Sequence, residues 1–266
     1  MAYLERVDKN AVAYLTLNQP DKLNPLSNAM LAALSDEIAR LAEDRAIRVV
    51  VIAGAGRAFC AGHDLKEMTT ARDADDNGRA AFADLFERCS MMMQSLQRLP
   101  QPVIAQVHGL AAAAGCQLVA TCDMAVAAES TRFGVNGVNI GLFCSTPMVA
   151  LTRNIPRKHA FEMLTTGAFI DATRARELGL VNRVAPDDQL EAETQNLAET
   201  VAAKLATAVR IGKEAFYAQA QMPLDEAYRY TGDVMVANML DRDTEEGIQA
   251  FLEKRAPAWS QDGSDP

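Results

Sequence analysis

The sequence predicts an α/β fold for most of its 266 residues. Short apolar runs rich in β-branched residues alternate with longer segments whose apolar residues recur at helical spacing. Such alternation is typical of a sheet covered by helices. A chain that is 49% hydrophobic and 23% charged has ordinary globular composition, and its length is ample for a full hydrophobic core. We therefore expect one large α/β unit with room for a smaller appendage.

Each predicted element has a local justification. Residues 11–17 mix apolar and β-branched side chains and predict a first strand, and the run Val-Val-Val-Ile at 49–52 predicts a buried one. Helical spacing of apolar residues covers 26–43, where Ser27 is a candidate N-cap. Further strands are predicted near residues 103–107, 124–128 and 181–184. Further helices are predicted near residues 81–98, 115–121, 147–152, 157–165 and 172–178, with Gly179 ending the last.

The predicted secondary structure changes after Pro186. Residues 187–255 are helical in pattern with no clear strand, and Pro223 is expected at the first position of a helix. We therefore divide the chain into an α/β core over residues 1–200 and a helical C-terminal part over residues 201–266. Two polar segments, 69–79 and 260–266, are predicted to be loose.

Charge and composition exclude several classes of protein. A net charge of −9 argues against a nucleic-acid partner. Five cysteines without a CxxC pair fit reduced thiols in the cytoplasm, and three scattered histidines form no metal motif. The N-terminus lacks a signal-peptide pattern and no apolar run is long enough for a membrane, so we expect a cytoplasmic protein without a membrane partner.

Residues 57–66, Arg-Ala-Phe-Cys-Ala-Gly-His-Asp-Leu-Lys, are the most informative stretch. They carry the chain from a predicted strand through Gly62 into the start of a helix. The N–H groups at a helix start have no partner within the helix, and such donors can hold an oxyanion. The simpler interpretation is a plain strand-to-helix turn at Ala61 and Gly62, and the local sequence fits both interpretations.

A second segment repeats the pattern. Residues 101–109 predict another strand ending in glycine, and the small-residue stretch from Leu110 to Asp123 is expected to open a helix. Two such turns supply two N–H donors, the usual number for one thioester oxygen.

With these motifs the chain resembles the crotonase family, also called the enoyl-CoA hydratase/isomerase family. The resemblance runs from Leu17 through both glycine turns and Phe133-Gly134 to Arg255, which is nearly the whole chain. It implies a spiral of ββα turns, a C-terminal helical trimerisation region and a homotrimer or hexamer. It also implies an acyl-CoA ligand, a place in fatty acid metabolism, and no cofactor besides the coenzyme A of the substrate.

The resemblance also implies site residues. The backbone N–H groups of His63 and Ala114 match the two oxyanion-hole donors of the family. The coenzyme A pocket matches Leu23, Ala61, His63, Asp64, Leu65, Lys66 and Ala114. Phe251 and Lys254 match positions that in relatives reach the coenzyme A site of a neighbouring subunit.

The sequence departs from the family at the catalytic positions. The two glutamates that hydrate the enoyl double bond in relatives match Gln117 and Gly137. Neither residue can accept and return a proton at neutral pH, and each lost acid or base typically costs 10²–10⁴-fold in rate. A divergent member is therefore expected, in which Gly137 leaves room for a bulkier acyl group. Asn136 and Asn139 are candidates to hold water, and Cys144 is either a nucleophile or a small buried residue.

Three functions remain open. The first is an enzyme that stabilises a thioester enolate, with His63 or water held by Gln117 moving protons, or with decarboxylation supplying the enolate. A histidine at position 63 can instead pack beside Asp64 in a structural role. The second function is a non-catalytic acyl-CoA binding protein, and the third is a structural oligomer.

Overall fold

The main sheet of the protein has six strands. In this computed structural model, which describes residues 2–259, the strands follow the spatial order β1-β2-β3-β4-β6-β9. Their bounds are β1 Leu4–Lys9, β2 Val12–Leu17, β3 Val49–Gly54, β4 Val103–Val107, β6 Met124–Ala128 and β9 Arg183–Ala185. Only β1 runs antiparallel to its neighbour within this sheet. The predicted tail 260–266 lies outside the described residues.

A smaller sheet joins three short strands in the order β5-β7-β8. They are β5 Leu110–Ala112, β7 Arg132–Gly134 and β8 Ile170–Asp171, and β8 is antiparallel to β7. This sheet holds the segment that leads into the second glycine turn, because β5 directly precedes the helix there.

Helices cover both faces of the main sheet. Those before residue 180 are α1 Asn28–Glu43, α2 Leu65–Ala71, α3 Arg79–Arg98, α4 Ala114–Thr121, α5 Ser145–Asn154, α6 Arg157–Thr166 and α7 Ala172–Leu178. Those after it are α8 Leu190–Ala202, α9 Ala206–Gln219, α10 Leu224–Met239 and α11 Arg242–Glu253. Short 3₁₀ helices occupy Pro20–Lys22, Asn136–Ile140 and Asp187–Gln189.

The core has two layers because strand side chains alternate between the faces. On β3, Val50 and Ile52 pack into the larger cluster with α1 and α3. Val49 and Val51 point to the opposite face and pack against α8. The unbroken apolar run that predicted a buried strand is thus a strand covered on both sides.

The α/β architecture is confirmed, and the differences in its elements have physical causes. Ser27 caps α1 as predicted, with its Oγ accepting from the N–H of Met30 at 3.2 Å. The strand β1 was not predicted because it is an edge strand of mostly charged, exposed residues. The predicted loop 69–79 was wrong at its start, because α2 continues to Ala71. Pro223 precedes α10 rather than beginning it.

The C-terminal helices differ in how they relate to the core. Helix α9 is anchored by the buried side chain of Lys213, whereas α10 and α11 carry many exposed apolar side chains. Phe251 and Leu240 are each 82% exposed. The division of the chain at residue 200 stays a prediction.

Candidate functional site

The two glycine turns lie against each other. Gly62 adopts a φ of +100°, which glycine tolerates, and a Cβ built on it would lie 3.5 Å from the backbone nitrogen of Ala114. The turns are joined by the N–H of Ala112, which donates to the carbonyl of Cys60 at 2.9 Å. Gly115 packs so closely on that carbonyl that a Cβ would collide with it. The close packing of the two turns therefore requires glycine on both sides of the junction, at Gly62 and Gly115.

The second turn holds an unusual backbone conformation. Ala113, directly before α4, has φ +48° and ψ −115°, a region that residues with a side chain rarely adopt. Its N–H donates to the carbonyl of Gly134 at 2.8 Å, and its carbonyl accepts from Gln117 at 3.0 Å. These bonds hold Ala113 in its strained conformation, and α4 begins at the next residue, Ala114.

The N–H groups of His63 and Ala114 donate to no protein acceptor in the described part of the chain. Ala114 is the first residue of α4, where the N–H groups have no intrahelical partner. Two unpaired donors on adjoining turns can stabilise one oxygen that carries developing negative charge.

The His63 side chain is mostly buried beside the turn. Its Nδ1 lies 3.1 Å from the carbonyl oxygen of Leu26, and its ring meets Phe86 edge-on at 5.8 Å between centroids. A carbonyl only accepts, so we assign the proton to Nδ1 and a lone pair to Nε2. Nε2 is buried and has no partner among the described residues. Burial lowers the pKa of His63, partly offset by the bond to Leu26, and so favours the neutral ring.

A cavity of about 420 Å³ opens beside these turns. Asp64 caps α2 at its wall, with Oδ1 accepting from the N–H of Lys66 at 2.9 Å. The ammonium of Lys22 lies 3.9 Å from Oδ2 of Asp64. The cavity is lined by Asp21, Lys22, Pro25, Ala61, His63, Asp64, Leu65, Lys66, Met68, Ala113, Asn136, Gly137, Ile140, Leu142 and Cys144.

Five of the nine predicted pocket residues line this cavity, whereas Leu23, Ala114, Phe251 and Lys254 do not. Leu23 does not line the cavity, but its carbonyl accepts from the N–H of Ala61 at 3.0 Å and so positions that loop. Phe251 and Lys254 lie at the end of α11 and do not line this cavity within one chain. Their predicted contact with a neighbouring subunit stays a prediction.

Gly137 lines the cavity without leaving space. A Cβ there would collide with the carbonyl oxygen of Leu142 and lie 2.9 Å from Sγ of Cys144. The expectation that Gly137 makes room for a bulkier acyl group was therefore wrong, because neighbouring atoms already fill the place of its missing side chain.

Gln117 lies on α4 with its side chain buried and does not line the cavity. Its Oε1 has no hydrogen-bond partner in the described part of the chain. A buried acceptor in this state is costly, which makes it a candidate to hold water or a ligand group.

The remaining candidates have structural surroundings. Asn139 donates weakly to the carbonyl of Gly167 at 3.4 Å, away from the cavity lining, whereas Asn136 lines it. Burial raises the pKa of the Cys144 thiol, so the neutral thiol is favoured over a nucleophilic thiolate. Residues 2–259 contain no cluster of His, Cys, Asp or Glu that could hold a metal ion.

Sequence reasoning missed the apolar side of the cavity. Met68, Ile140 and Leu142 give it an apolar wall, and Lys22 adds a cation at its mouth. Lys22 belonged to a recognised motif and could have been found from its charge. The other three could not, because Met68 and Ile140 lie on short helices and Leu142 lies just after one, and such short segments show no periodic apolar pattern.

Comparisons with known proteins agree with this fold. Residues 7–262 match the family model described as enoyl-CoA hydratase/isomerase, so the chain belongs to that family, the crotonases. It is 46% identical over 251 residues to the human enoyl-CoA hydratase domain-containing protein 3, mitochondrial, covering 94% of this chain and 81% of the relative.

Solved structures support the same family and the same fold. A crystal structure of enoyl-CoA hydratase from Mycobacterium smegmatis matches with a TM-score of 0.93 and 51% identity, covering 97% of this chain and 99% of that one. The human enoyl coenzyme A hydratase domain-containing protein 3 matches with a TM-score of 0.92 and 43% identity, covering 97% and 100%. Several relatives are named mitochondrial, so the expected cytoplasmic location stays a prediction. No helix within the described chain is long and apolar enough to cross a membrane.

Proposed function

We propose that this protein binds acyl-CoA thioesters in the cavity beside His63 and polarises the thioester carbonyl with the N–H groups of His63 and Ala114. The observation that carries the proposal is the pair of unpaired backbone donors on two adjoining turns. Donors held in place before the reaction stabilise the oxygen of an enolate without reorganising. The ligand is an acyl-CoA and no further cofactor is proposed.

The chemistry we propose is enolate formation and not two-glutamate hydration. Gln117 carries an amide and Gly137 no side chain, so neither position supplies the acid or base that hydration requires. Restoring a carboxylate at residue 137 is also opposed by the packing of Leu142 and Cys144 around it.

His63 is the proposed proton-transferring group. The bond from Nδ1 to Leu26 leaves the lone pair on Nε2, and burial favours the neutral ring that can accept a proton. The hole uses the backbone of His63 and the base uses its side chain, so the two roles can be separated by mutation.

Two alternatives follow from the same missing carboxylates. In a decarboxylase, a malonyl-type CoA loses CO₂, and the bonding electrons pass into the thioester enolate without a base. In a non-catalytic binding protein, the cavity holds the thioester without forming an enolate. Both retain the coenzyme A pocket.

The experiment is exchange of the α-protons of butyryl-CoA in D₂O, measured by mass spectrometry, with calorimetry on the same sample. The enolate proposal is supported if H63Q reduces the exchange while its affinity for butyryl-CoA stays unchanged, since H63Q keeps the backbone N–H. H159Q, at a half-buried histidine on α6 outside the cavity, is the matched control.

Other outcomes discriminate among the functions. CO₂ release from methylmalonyl-CoA without exchange of butyryl-CoA favours the decarboxylase. Binding without either reaction favours the non-catalytic protein. Absence of binding to every CoA ester contradicts the whole proposal.

We also propose that the C-terminal helices assemble the chain into a homotrimer or hexamer. The supporting observation is the exposed apolar surface of α10 and α11, which includes Leu240, Phe251 and Leu252. Apolar surface of this extent on a soluble domain marks an interaction site. A role in fatty acid metabolism would follow from the ligand.

A further inference from the structure

Asn24 is buried where the turn before it meets the loop that follows β3. Its side chain is fully buried. Its Nδ2 donates to the carbonyls of Ala55 and Ala58, both at 2.8 Å, and its Oδ1 accepts from the N–H of Gln19 at 2.8 Å. Both amide protons and the amide oxygen have partners, so the orientation of the side chain is fixed.

The backbone around Asn24 is strained. Leu23 and Asn24 adopt φ angles of +62° and +51°, successive left-handed conformations that asparagine tolerates and leucine rarely adopts. The carbonyl of Gln19 closes the turn by accepting from the N–H groups of Lys22 at 3.1 Å and Asn24 at 3.0 Å. Strain of this kind persists only where surrounding bonds fix it, and it concentrates at functional sites. The three bonds of the Asn24 side chain supply this fixation.

The same segment holds the first glycine turn. The carbonyl of Leu23 accepts from the N–H of Ala61 at 3.0 Å. The N–H of Leu26 donates to the carbonyl of Gly62 at 2.8 Å, and the carbonyl of Leu26 accepts from Nδ1 of His63 at 3.1 Å. The direction of the His63 N–H, one of the two proposed oxyanion donors, therefore depends on this segment.

The other side of the turn reaches the acyl-CoA cavity. Asp21 and Lys22 both line it. The side chain of Lys22 is 60% exposed, and its ammonium lies 3.9 Å from the carboxylate of Asp64, which is beyond hydrogen-bonding distance. One bonded turn thus connects the lining of the cavity to the backbone that presents the N–H of His63.

We propose that Asn24 is a positioning residue that couples the binding of coenzyme A at this turn to the geometry of the oxyanion hole. Contacts of the coenzyme with the turn restrict residues 19–26, and the bonds of Asn24 extend that restriction to the loop after β3 and to the His63 N–H. Binding energy from a part of the substrate remote from the reacting carbon then raises the rate of enolate formation. This inference rests on the proposed function, because it concerns the same hole.

The test compares two thioesters in the α-proton exchange assay. They are butyryl-CoA and the butyryl thioester of N-acetylcysteamine, which lacks the nucleotide. At saturation, wild type should exchange butyryl-CoA about tenfold faster, because removal of remote groups lowers kcat. N24A should lose this difference by slowing butyryl-CoA, while its affinity for butyryl-CoA in calorimetry stays close to wild type. A merely structural role would slow both thioesters alike.

Two further variants sharpen the comparison. N24D can still accept from the N–H of Gln19, but its carboxylate cannot donate to Ala55 and Ala58, so it should behave like N24A. Asn154 also donates to two carbonyls, at 2.7 and 2.8 Å, and lies outside the cavity lining. N154A is therefore the matched control and should keep the wild-type difference between the thioesters.

A measurement on wild type covers the case in which the Asn24 variants do not fold. Adenosine 3′,5′-bisphosphate, a fragment of coenzyme A, should accelerate exchange of the saturating N-acetylcysteamine thioester. With folded variants, equal slowing of both thioesters in N24A overturns the proposal. Without them, absence of acceleration by the fragment overturns it. Both results leave the proposed function intact, whereas a wild type that exchanges neither thioester contradicts that function and this inference with it.

Discussion

The ammonium Nζ of Lys213 lies 2.7 Å from Oδ2 of Asp123, and both side chains are largely buried. Lys213 also donates to the carbonyls of Leu96 at 2.8 Å and Gln101 at 2.9 Å. Asp123 accepts from the N–H of Val103 at 2.6 Å and the hydroxyl of Tyr217 at 2.7 Å. The pair therefore joins α9 to the start of β4 and to the residue that directly precedes β6.

Replacing Lys213 by methionine should lower the free energy of unfolding by about 3–5 kcal/mol, because it leaves a buried carboxylate without its cation. Urea denaturation measures this change. D123N/K213M should lose less than the sum of its single variants, since the charges are removed together. R174M, in an exposed pair with Glu177, is the control and should stay close to wild type. Equal effects of K213M and R174M would contradict the prediction.

Gly137 should not tolerate even a methyl group. G137A should lower the free energy of unfolding by about 1–3 kcal/mol, because its Cβ meets the carbonyl of Leu142 and Sγ of Cys144. G137E should likewise be destabilised and should not hydrate crotonyl-CoA. G232A, where a Cβ on α10 meets nothing within 4 Å, should be neutral or stabilising. Thermal unfolding compares the three, and a stable G137E with hydratase activity would refute this packing argument.

The pH dependence of stability should report on His63. Burial places the pKa of folded His63 below its ordinary value of 6.5, so the unfolded chain binds more protons between the two values. The stabilising contribution of neutral His63 is therefore complete above about pH 6.5 and declines as the pH falls toward the folded pKa. The difference in unfolding free energy between wild type and H63Q should shrink from pH 7.5 to pH 5, as measured by urea denaturation. A constant difference would mean that the pKa is not lowered.

The sequence predicted the type of most elements more accurately than it predicted their first and last residues. An unbroken apolar run indicates a buried strand such as β3. The helical spacing of apolar residues and the cap at Ser27 indicate α1. The charged edge strand β1 could not be predicted, because its pairing depends on β2 and not on its own residues. Nor could β8, which has two residues and exists only through β7.

Lys22 and Lys66 should contribute to binding of the phosphates of coenzyme A. K22Q/K66Q should weaken the binding of butyryl-CoA about tenfold, since both exposed lysines line the acyl-CoA cavity. Calorimetry at two salt concentrations should show a smaller salt dependence in the variant. The butyryl thioester of N-acetylcysteamine, which has no phosphates, should bind wild type and variant alike. A parallel loss for both ligands would point to general damage to the cavity.

The exposed apolar surface of α10 and α11 should be the assembly surface. L240D and F251D should dissociate the proposed trimer or hexamer, because each charge would be buried in an apolar contact. Light scattering coupled to size exclusion measures the mass. V7D, at a similarly exposed apolar residue on β1, should leave the mass unchanged. A monomeric wild type would contradict this prediction.

Like the fold, the candidate site could be predicted only in part from the sequence. The two glycine turns were evident in the sequence, because they depend on residue identity at fixed spacing, whereas the match of Gln117 and Gly137 to the two glutamates of the family stays a prediction. The filled space at Gly137 and the unpaired Oε1 of Gln117 were not evident, because they depend on neighbours such as Leu142 that are remote from any pattern.

The strained turn at Ala113 has an evolutionary consequence. The proposed oxyanion hole consists of main-chain N–H groups, and only the glycines and small residues that shape the turns are constrained by it. Mutation can therefore exchange the surrounding side chains while the donors persist. A lineage can lose one reaction and keep a preorganised thioester receptor, into which one new proton-transferring side chain would introduce another reaction.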